Sequence, residues 1–309
     1  MPNNDPTPEE IRREAVAGAI SAGTGYLIWG VAVIFYKQLS AMTPFAVLAH
    51  RAIWSVLLTT LLIAFFRRHS QLMALLRDRK SMMALCCSAL LIGGNWLVFI
   101  YSVNASRVVE TSLGYYINPL VSVLIGVALL GERLSRLQIF AIGLALLGVM
   151  NFAIALGTLP WISLFLAATF AAYGYLRKIT NADPLEGLFV EVVVLLPFAA
   201  GYLWWIGATG EGVFGNGDLS TVILLVLTGP MTAVPLMLFT FGARRIRLAT
   251  LGLMQYLAPT AQFLIAVGMY EEPFSAVHVV TFALIWAGLA IFSYDTWRTE
   301  RELRRVIRP

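Results

Sequence analysis

The chain reads as an all-α integral membrane protein, with ten transmembrane helices arranged as two inverted five-helix repeats. Three observations predict this. The residues are 59% hydrophobic and only 13% charged, with a mean hydropathy of +0.78, whereas a soluble globular domain carries about 25% charged residues. The chain divides into ten apolar stretches, each close to the roughly 20 residues that a spanning helix needs. Residues also recur at a spacing of 140: Pro44 as Pro184, Pro119 as Pro259, Glu132 as Glu272, Ser135 as Ser275 and Gly148 as Gly288. Each copy holds five stretches, and an odd number makes the second copy enter the bilayer from the opposite side. Inverted repeats meeting near the midplane are a common way to build an alternating-access carrier.

The expected spans are 15–37, 45–66, 82–104, 109–130 and 136–155 in the first copy, and 161–180, 185–206, 220–242, 249–270 and 275–297 in the second. The chain then divides into a cytoplasmic tail (1–14), a first repeat (15–155), a second repeat (156–297) and a basic cytoplasmic tail (298–309). The N-terminal stretch MPNNDPTPEEIRREAV lacks the apolar core and cleavage site of a secretory signal. Cys86 and Cys87 read as small buried apolar residues of the third span.

Charge sets the orientation. With the N-terminus inside, all 22 lysines and arginines except Lys37, Arg107 and Arg51 fall in the tails and inner loops. Basic residues in short loops are retained on the cytoplasmic side, which places both termini there. The loop between the second and third spans is basic, whereas its counterpart near 207–219 has no basic residue and holds Glu211 and Asp218. The C-terminal WRTERELRRVIRP resembles a nucleic-acid patch in composition. Beside a membrane helix it faces anionic headgroups instead, so the expected partners are lipid and a small solute, with no nucleic acid.

An ionisable side chain in hydrocarbon costs at least about 2.5–3.5 kcal/mol, so such residues face a cavity or a partner. Two stand out, Arg51 and Glu191, each seven residues after its proline. Seven residues rise about 10 Å, and because the repeats run in opposite senses the two lie at different depths and form no direct salt bridge. Arg51 and Trp54 are three apart and project from one helical face. That pairing offers a carboxylate clamp with an aromatic wall, or else a structural arginine bonded to neighbouring carbonyls. His50 points about 100° away and reads as a packed hydrogen-bonding histidine. For Glu191 two readings stand: a protonatable coupling site, or a partner of Arg177 or Lys178. Glu132 and Glu272 sit before helix N-termini, where negative charge is favourable, and read as structural.

Uncharged residues supply a second set. Asn95, Trp96 and Tyr101 fall in the third span, and Tyr115, Asn118 and Pro119 in the fourth. Thr232 and Pro235 fall in the eighth, and Gly252, Gln255, Tyr256, Pro259 and Gln262 in the ninth. Prolines inside spans free carbonyls for water, neighbours or ligand, so Pro119, Pro235 and Pro259 are expected hinges. With Tyr26, Trp29, Tyr173 and Tyr175 these residues either line a central cavity or glue helices together through amide hydrogen bonds. No P-loop, no HExxH motif, no Cys/His cluster and no intramembrane carboxylate pair occurs, so neither a metal, a cofactor nor a catalytic reaction is expected.

The phrases HRAIWS (50–55), NWLVFIYSVN (95–104), ETSLGYYINPLVSVLIGVALLGERLS (110–135), TGPMTAVPLMLF (228–239) and ARRIRLATLGLMQYLAPTAQFLIAV (243–267) resemble the RarD branch of the EamA family, in the drug/metabolite transporter superfamily. The resemblance covers roughly residues 15–297. It implies two inverted EamA repeats, a bacterial inner-membrane location, a central substrate cavity, and export of amino acids or related metabolites or drug-like compounds. It marks His50, Arg51, Trp54, Asn95, Trp96, Tyr101, Glu110, Tyr115, Asn118, Gln255 and Tyr256 as motif positions without assigning roles. Of these, Arg51, Trp54, Asn95, Tyr101, Tyr115, Asn118, Gln255 and Tyr256 are the expected substrate contacts. His50, Glu191 and Glu110 form an expected coupling or polar network. At the corner before Glu272 the glycine common in the family is Glu271. A channel and a non-transporting scaffold remain the alternatives.

Overall fold

A computed structural model describes residues 8–130, 134–209, 218–243, 245–246 and 254–307. The described residues form eleven helices and no strand. These are α1 (Pro8–Lys37), α2 (Pro44–Phe65), α3 (His69–Arg77), α4 (Arg79–Asn104), α5 (Val108–Leu130) and α6 (Arg136–Leu156), followed by α7 (Trp161–Ile179), α8 (Pro184–Ala208), α9 (Leu219–Ala243), α10 (Leu257–Gly268) and α11 (Ala276–Ile307). Seven described stretches are long and apolar enough to cross a membrane: Arg13–Lys37, Pro44–Phe65, Arg79–Asn104, Arg136–Ala155, Pro184–Ala208, Leu219–Phe239 and Ala276–Asp295. Helices α5, α7 and α10 fall on three further expected stretches. The anticipated residues Glu132, Glu211 and Gly252 lie outside the described residues.

Three boundaries differ from expectation. Helix α3 occupies what read as a loop, because nine residues cannot span a bilayer and its apolar face is short; Leu75 packs there against Leu85 and Val190. The two tails are not separate from their spans: α1 begins at Pro8 and α11 continues to Ile307. Polarity ends a membrane span but need not end a helix.

Helix starts carry local signals. Thr43 caps α2 by accepting from the Ala46 amide, with Pro44 at the first helical position; Pro184 takes the same position in α8, where Asp183 makes no side-chain cap bond. Proline suits that position because its missing N–H would be unbonded anyway. Ser135 and Gln138 form a capping box on α6, and ahead of α11 one half of it recurs, the Ser275 amide donating to His278 Nδ1.

Helix pairs meet end to opposite end. Along α2 and α8, Thr43 Oγ1 bonds Tyr202 Oη at 2.9 Å. At the far end Arg68 donates to Asp183 Oδ2 at 2.6 Å, and its Nε lies 2.9 Å from Glu186 Oε1. Along α6 and α11, Ser135 Oγ donates to Asp295 at 2.7 Å; at the other end Asn151 donates to the Val277 carbonyl and to Thr281. Where these two cross, the contact is reciprocal. A Cβ on Gly148 would lie 2.9 Å from the Thr281 carbonyl oxygen, and one on Gly288 2.6 Å from the Ala141 carbonyl oxygen. Small residues let backbones approach closely in lipid, where helix association depends on packing rather than on the hydrophobic effect. Helix α5 meets α10 through the stacked rings of Tyr116 and Tyr256, 6.3 Å apart at 19°. Helix α1 packs on α9 and α10, and α7 packs on α4 and α5. The first helix of each half therefore lies against the other half.

Candidate functional site

The interleaving brings helices of both halves around Arg51. Its Nε donates to Thr232 Oγ1 of α9 at 2.9 Å, and Thr232 passes its own proton to the Thr228 carbonyl. The guanidinium carbon stands 3.9 Å from the centre of the Trp96 ring on α4 and 5.5 Å from that of Tyr36 on α1. The residue is only 6% exposed. Among the described residues no carboxylate lies within salt-bridge reach of it, Glu191 included, as the depth argument predicted. A buried cation faced by two aromatic rings and one hydroxyl is held but not neutralised, which suits the capture of an anionic group.

The indole beside the guanidinium is that of Trp96, not Trp54. Spacing of three residues gives a common face but does not decide which neighbouring helix supplies the ring, and α4 wins. Trp54 Nε1 and Tyr36 Oη are instead buried with no hydrogen-bond partner. Both are donors, so Arg51 has two unspent donor groups on its own and an adjoining helix. Tyr36 was not singled out from sequence, since an aromatic residue in the last turns of an apolar helix carries no distinguishing signal.

Other expected contacts fall into separate groups. Asn95 has both ends of its amide engaged: it donates to the Leu166 carbonyl and to Thr169, and accepts from Tyr115 Oη at 3.2 Å. It ties α4 to α7 and α5, which is a packing role. Tyr101 is 40% exposed and pairs with Trp161, away from these contacts. Asn118 Oδ1 and Gln262 Oε1 are buried acceptors with no partner, while Gln262 Nε2 donates to the Trp29 carbonyl. Gln255 is half-buried in the turn before α10, next to Tyr256. His50 is buried on α2.

Of the expected hinges, Pro119 lies inside α5 and Pro235 inside α9, where Pro230 joins it. Pro259 is the third residue of α10. Helical N–H groups in a first turn have no intrahelical partner, so Pro259 breaks no bond there and is not a kink in the described helix; its carbonyl accepts from Ser112 at 2.9 Å.

The carboxylates divide by task. Glu272 accepts from the Val108 and Val109 amides at 2.8 Å each. Its structural role was legible, but it caps α5 of the other half and not the helix that follows it. Glu110 pairs with Arg107 at 2.5 Å, and its second oxygen is buried without a partner. Glu191 Oε1 lies 2.6 Å from Ser88 Oγ, with Tyr173 Oη at 3.4 Å from Oε2 and Arg177 Nη1 at 3.9 Å from Oε1. A cavity of about 170 Å³ lies between α8 and α9 beside Arg68, lined by Pro184, Leu188, Ala233 and Leu236. It stands at one end of the molecule and not around Arg51.

Seven helices long and apolar enough to cross a membrane, packed with others around a buried cation that no carboxylate among the described residues reaches, fit a multi-pass membrane protein. Comparison with known proteins gives the same class. Residues 16–154 match the model of the EamA-like transporter family. The chain is 41% identical over 300 residues to a Vibrio cholerae protein described as an uncharacterized transporter, covering 97% of this chain and 99% of that one. It is 42% identical over 284 residues to the protein RarD of Escherichia coli K12, covering 92% and 96%, and 30% identical over 275 residues to the chloramphenicol-sensitive protein RarD of Pseudomonas aeruginosa, covering 88% and 91%. A solved crystal structure shares the fold at a TM-score of 0.57, with 19% identity, over 90% of this chain and 97% of that one. The chain belongs to the EamA-like transporter family, among its RarD-type members.

Proposed function

We propose that this protein is an inner-membrane carrier that exports small organic metabolites, amino acids or drug-like amphipathic compounds, by alternating access. In this reading ten spans form two inverted five-helix repeats, 15–155 and 156–297, with both termini in the cytoplasm and basic loops against anionic headgroups. The reciprocal Gly148–Thr281 and Gly288–Ala141 contacts support the two-fold relation, as do helix pairs joined end to opposite end. The observation that carries the reading is Arg51, buried where α1, α2, α4 and α9 meet without a carboxylate to neutralise it. Arg51 takes the carboxylate or other anionic end of the solute. Trp96 and Tyr36 wall it, Trp54 Nε1 supplies a further donor, and Asn118 and Gln262 offer acceptors to a cationic or hydroxyl end. The halves rock against each other, bending at Pro119, Pro230 and Pro235.

The test is counterflow in proteoliposomes preloaded with a mixed amino-acid pool, and in a parallel set with chloramphenicol. A carrier accelerates entry of the labelled compound by exchange. A channel shows labelled entry that preloading leaves unchanged, a scaffold moves nothing, and either result overturns the proposal.

A further inference from the structure

The position equivalent to Arg51 in the second half holds Glu191, buried to 1% exposure between α8, α4 and α7. Two oxygens there stand within reach of one serine hydroxyl hydrogen. Ser88 Oγ lies 2.6 Å from Glu191 Oε1 and 3.0 Å from the Leu85 carbonyl oxygen. A hydroxyl donates only one hydrogen. Were Glu191 ionised, both of these neighbours would be acceptors competing for it. With a proton on Oε1 the chain closes: Glu191 donates to Ser88, and Ser88 donates to Leu85.

The cation nearby points the same way. Charge-assisted pairs close to about 2.7–2.9 Å, and this molecule does so elsewhere, with Arg68 at 2.6 Å from Asp183 and Arg107 at 2.5 Å from Glu110. Arg177 Nη1 stops 3.9 Å short of Glu191 Oε1, although that nitrogen is buried and has no other hydrogen-bond partner. The guanidinium lies against Gly187, one turn before Glu191, where a Cβ would overlap Nη1.

Among the described residues Ser88, Tyr173 and Arg177 are the groups that reach Glu191, and the Cys86 and Cys87 thiols beside Ser88 are exposed. Helix α9 carries no ionisable group between Leu219 and Ala243. On α4 the charges Arg79 and Lys80 stand in the first turn, about 12 Å along the helix from Ser88. Just before α3, Arg68 holds Asp183 and Glu186; on α2, Arg51 holds Thr232 and His50 is buried beside it in sequence. From α7, Tyr173 offers its long 3.4 Å contact, and α3 meets α8 through apolar Leu75 against Val190.

We infer that Glu191 is a proton-binding site, loaded in this conformation and emptied when Arg177 closes onto it. Loading takes a proton from water and breaks the Arg177 contact. Unloading returns that proton from Oε1 to water on the face then open, and the guanidinium takes over the negative charge. Each turn of the carrier then moves one proton. The transport half of this inference rests on the proposed function; the protonation half does not.

Two measurements test it on the full-length protein. Infrared spectroscopy in lipid at neutral pH is expected to show a protonated carboxylic-acid stretch that Glu191→Gln removes, Glu186→Gln leaves in place, and Ser88→Ala shifts in frequency. An acid region unchanged by Glu191→Gln overturns the site, and should that variant fail to fold, an unshifted band in Ser88→Ala does the same. In proteoliposomes enclosing a pH-sensitive dye, addition of a mixed amino-acid pool is expected to move protons in the wild type. Gly187→Ala, whose methyl displaces Arg177, loses this movement while keeping the infrared band. Wild-type counterflow without any proton movement overturns the coupling, whereas absent counterflow with the band present sinks the carrier reading alone.

Discussion

Arg51 and Glu191 occupy matching places 140 residues apart, yet the molecule treats them differently. Arg51 is pressed against the rings of Trp96 and Tyr36 and gives one hydrogen bond to a hydroxyl. Glu191 meets hydroxyls first and a cation only at 3.9 Å. The contacts that shape the scaffold, by contrast, repeat: Gly148 with Gly288, Tyr116 with Tyr256, Ser135 with Ser275. Packing that recurs at a spacing of 140 therefore carries chemistry that does not recur: the close contacts are used twice and each charge once.

The sharpest way to break this comparison is at Arg51. Arg51→Ala is expected to abolish counterflow, and Arg51→Lys to lose it at least tenfold, because an ammonium cannot lie flat on the Trp96 ring while bonding Thr232. Trp96→Ala should cost more than Trp54→Ala. The reverse order in a counterflow assay would restore Trp54 as the wall and break the account of this half.

Next comes the joint between the halves. Arg68→Ala leaves Glu186, 1% exposed, without its cation. Breaking a buried pair from one side costs about 3–5 kcal/mol. Arg68 is 30% exposed, so screening reduces the expected loss to on the order of 2 kcal/mol. A thermal unfolding shift of several degrees should appear in Arg68→Ala and be largely relieved in Arg68→Ala combined with Glu186→Gln. An additive double variant would show that the two residues do not act together.

How far these features were legible follows from what a sequence pattern encodes. Hydropathy marks the spans and the charge alternation, and Pro44 and Pro184 mark helix starts, since these signals are local. Periodicity reports a residue's face and not its neighbour. Trp96 therefore escaped as Arg51's partner, Ser88 as Glu191's, and α5 as the helix that Glu272 caps. One repeated pair escaped for another reason. Asp78 and Asp218 are 140 apart and each begins a helix, α4 and α9, with the Ser81 hydroxyl beside one and the Ser220 hydroxyl beside the other. These hydroxyls hold both carboxyls below the usual carboxylate range. Their match is hidden in the sequence because both lie in polar loops, where aspartate is unremarkable.

The reciprocal glycines come third in size. A methyl on Gly288 meets the Ala141 carbonyl at 2.6 Å and one on Gly148 meets the Thr281 carbonyl at 2.9 Å. Neither obstacle is the end of a flexible side chain, so α6 and α11 must separate. Overpacking of this kind costs typically about 1–3 kcal/mol. Gly288→Ala and Gly148→Ala should each lower the melting temperature, Gly288→Ala the more. The pair together should cost less than the sum, because the first methyl already opens the crossing for the second. Full additivity would mean that the two contacts are independent and the reciprocity is incidental.

The smallest effect lies at positions 131 and 271, where the first half has Gly131 and the second Glu271. Glu271 adopts a φ of 52°, in the left-handed region. There a Cβ crowds the following carbonyl, at a cost of roughly 1–2 kcal/mol that glycine does not incur. The turn is worth that cost because it delivers the next residue, Glu272, to the amides of Val108 and Val109. Glu271 is exposed, so its side chain adds no buried contact to offset the strain. Glu271→Gly should therefore raise thermal stability slightly and leave counterflow intact. A gain would be partly eroded by the greater freedom that glycine gives the unfolded chain, which keeps the expected net below about 1 kcal/mol. A clear loss of stability would mean that the Glu271 side chain, and not only its backbone, holds this corner against α5.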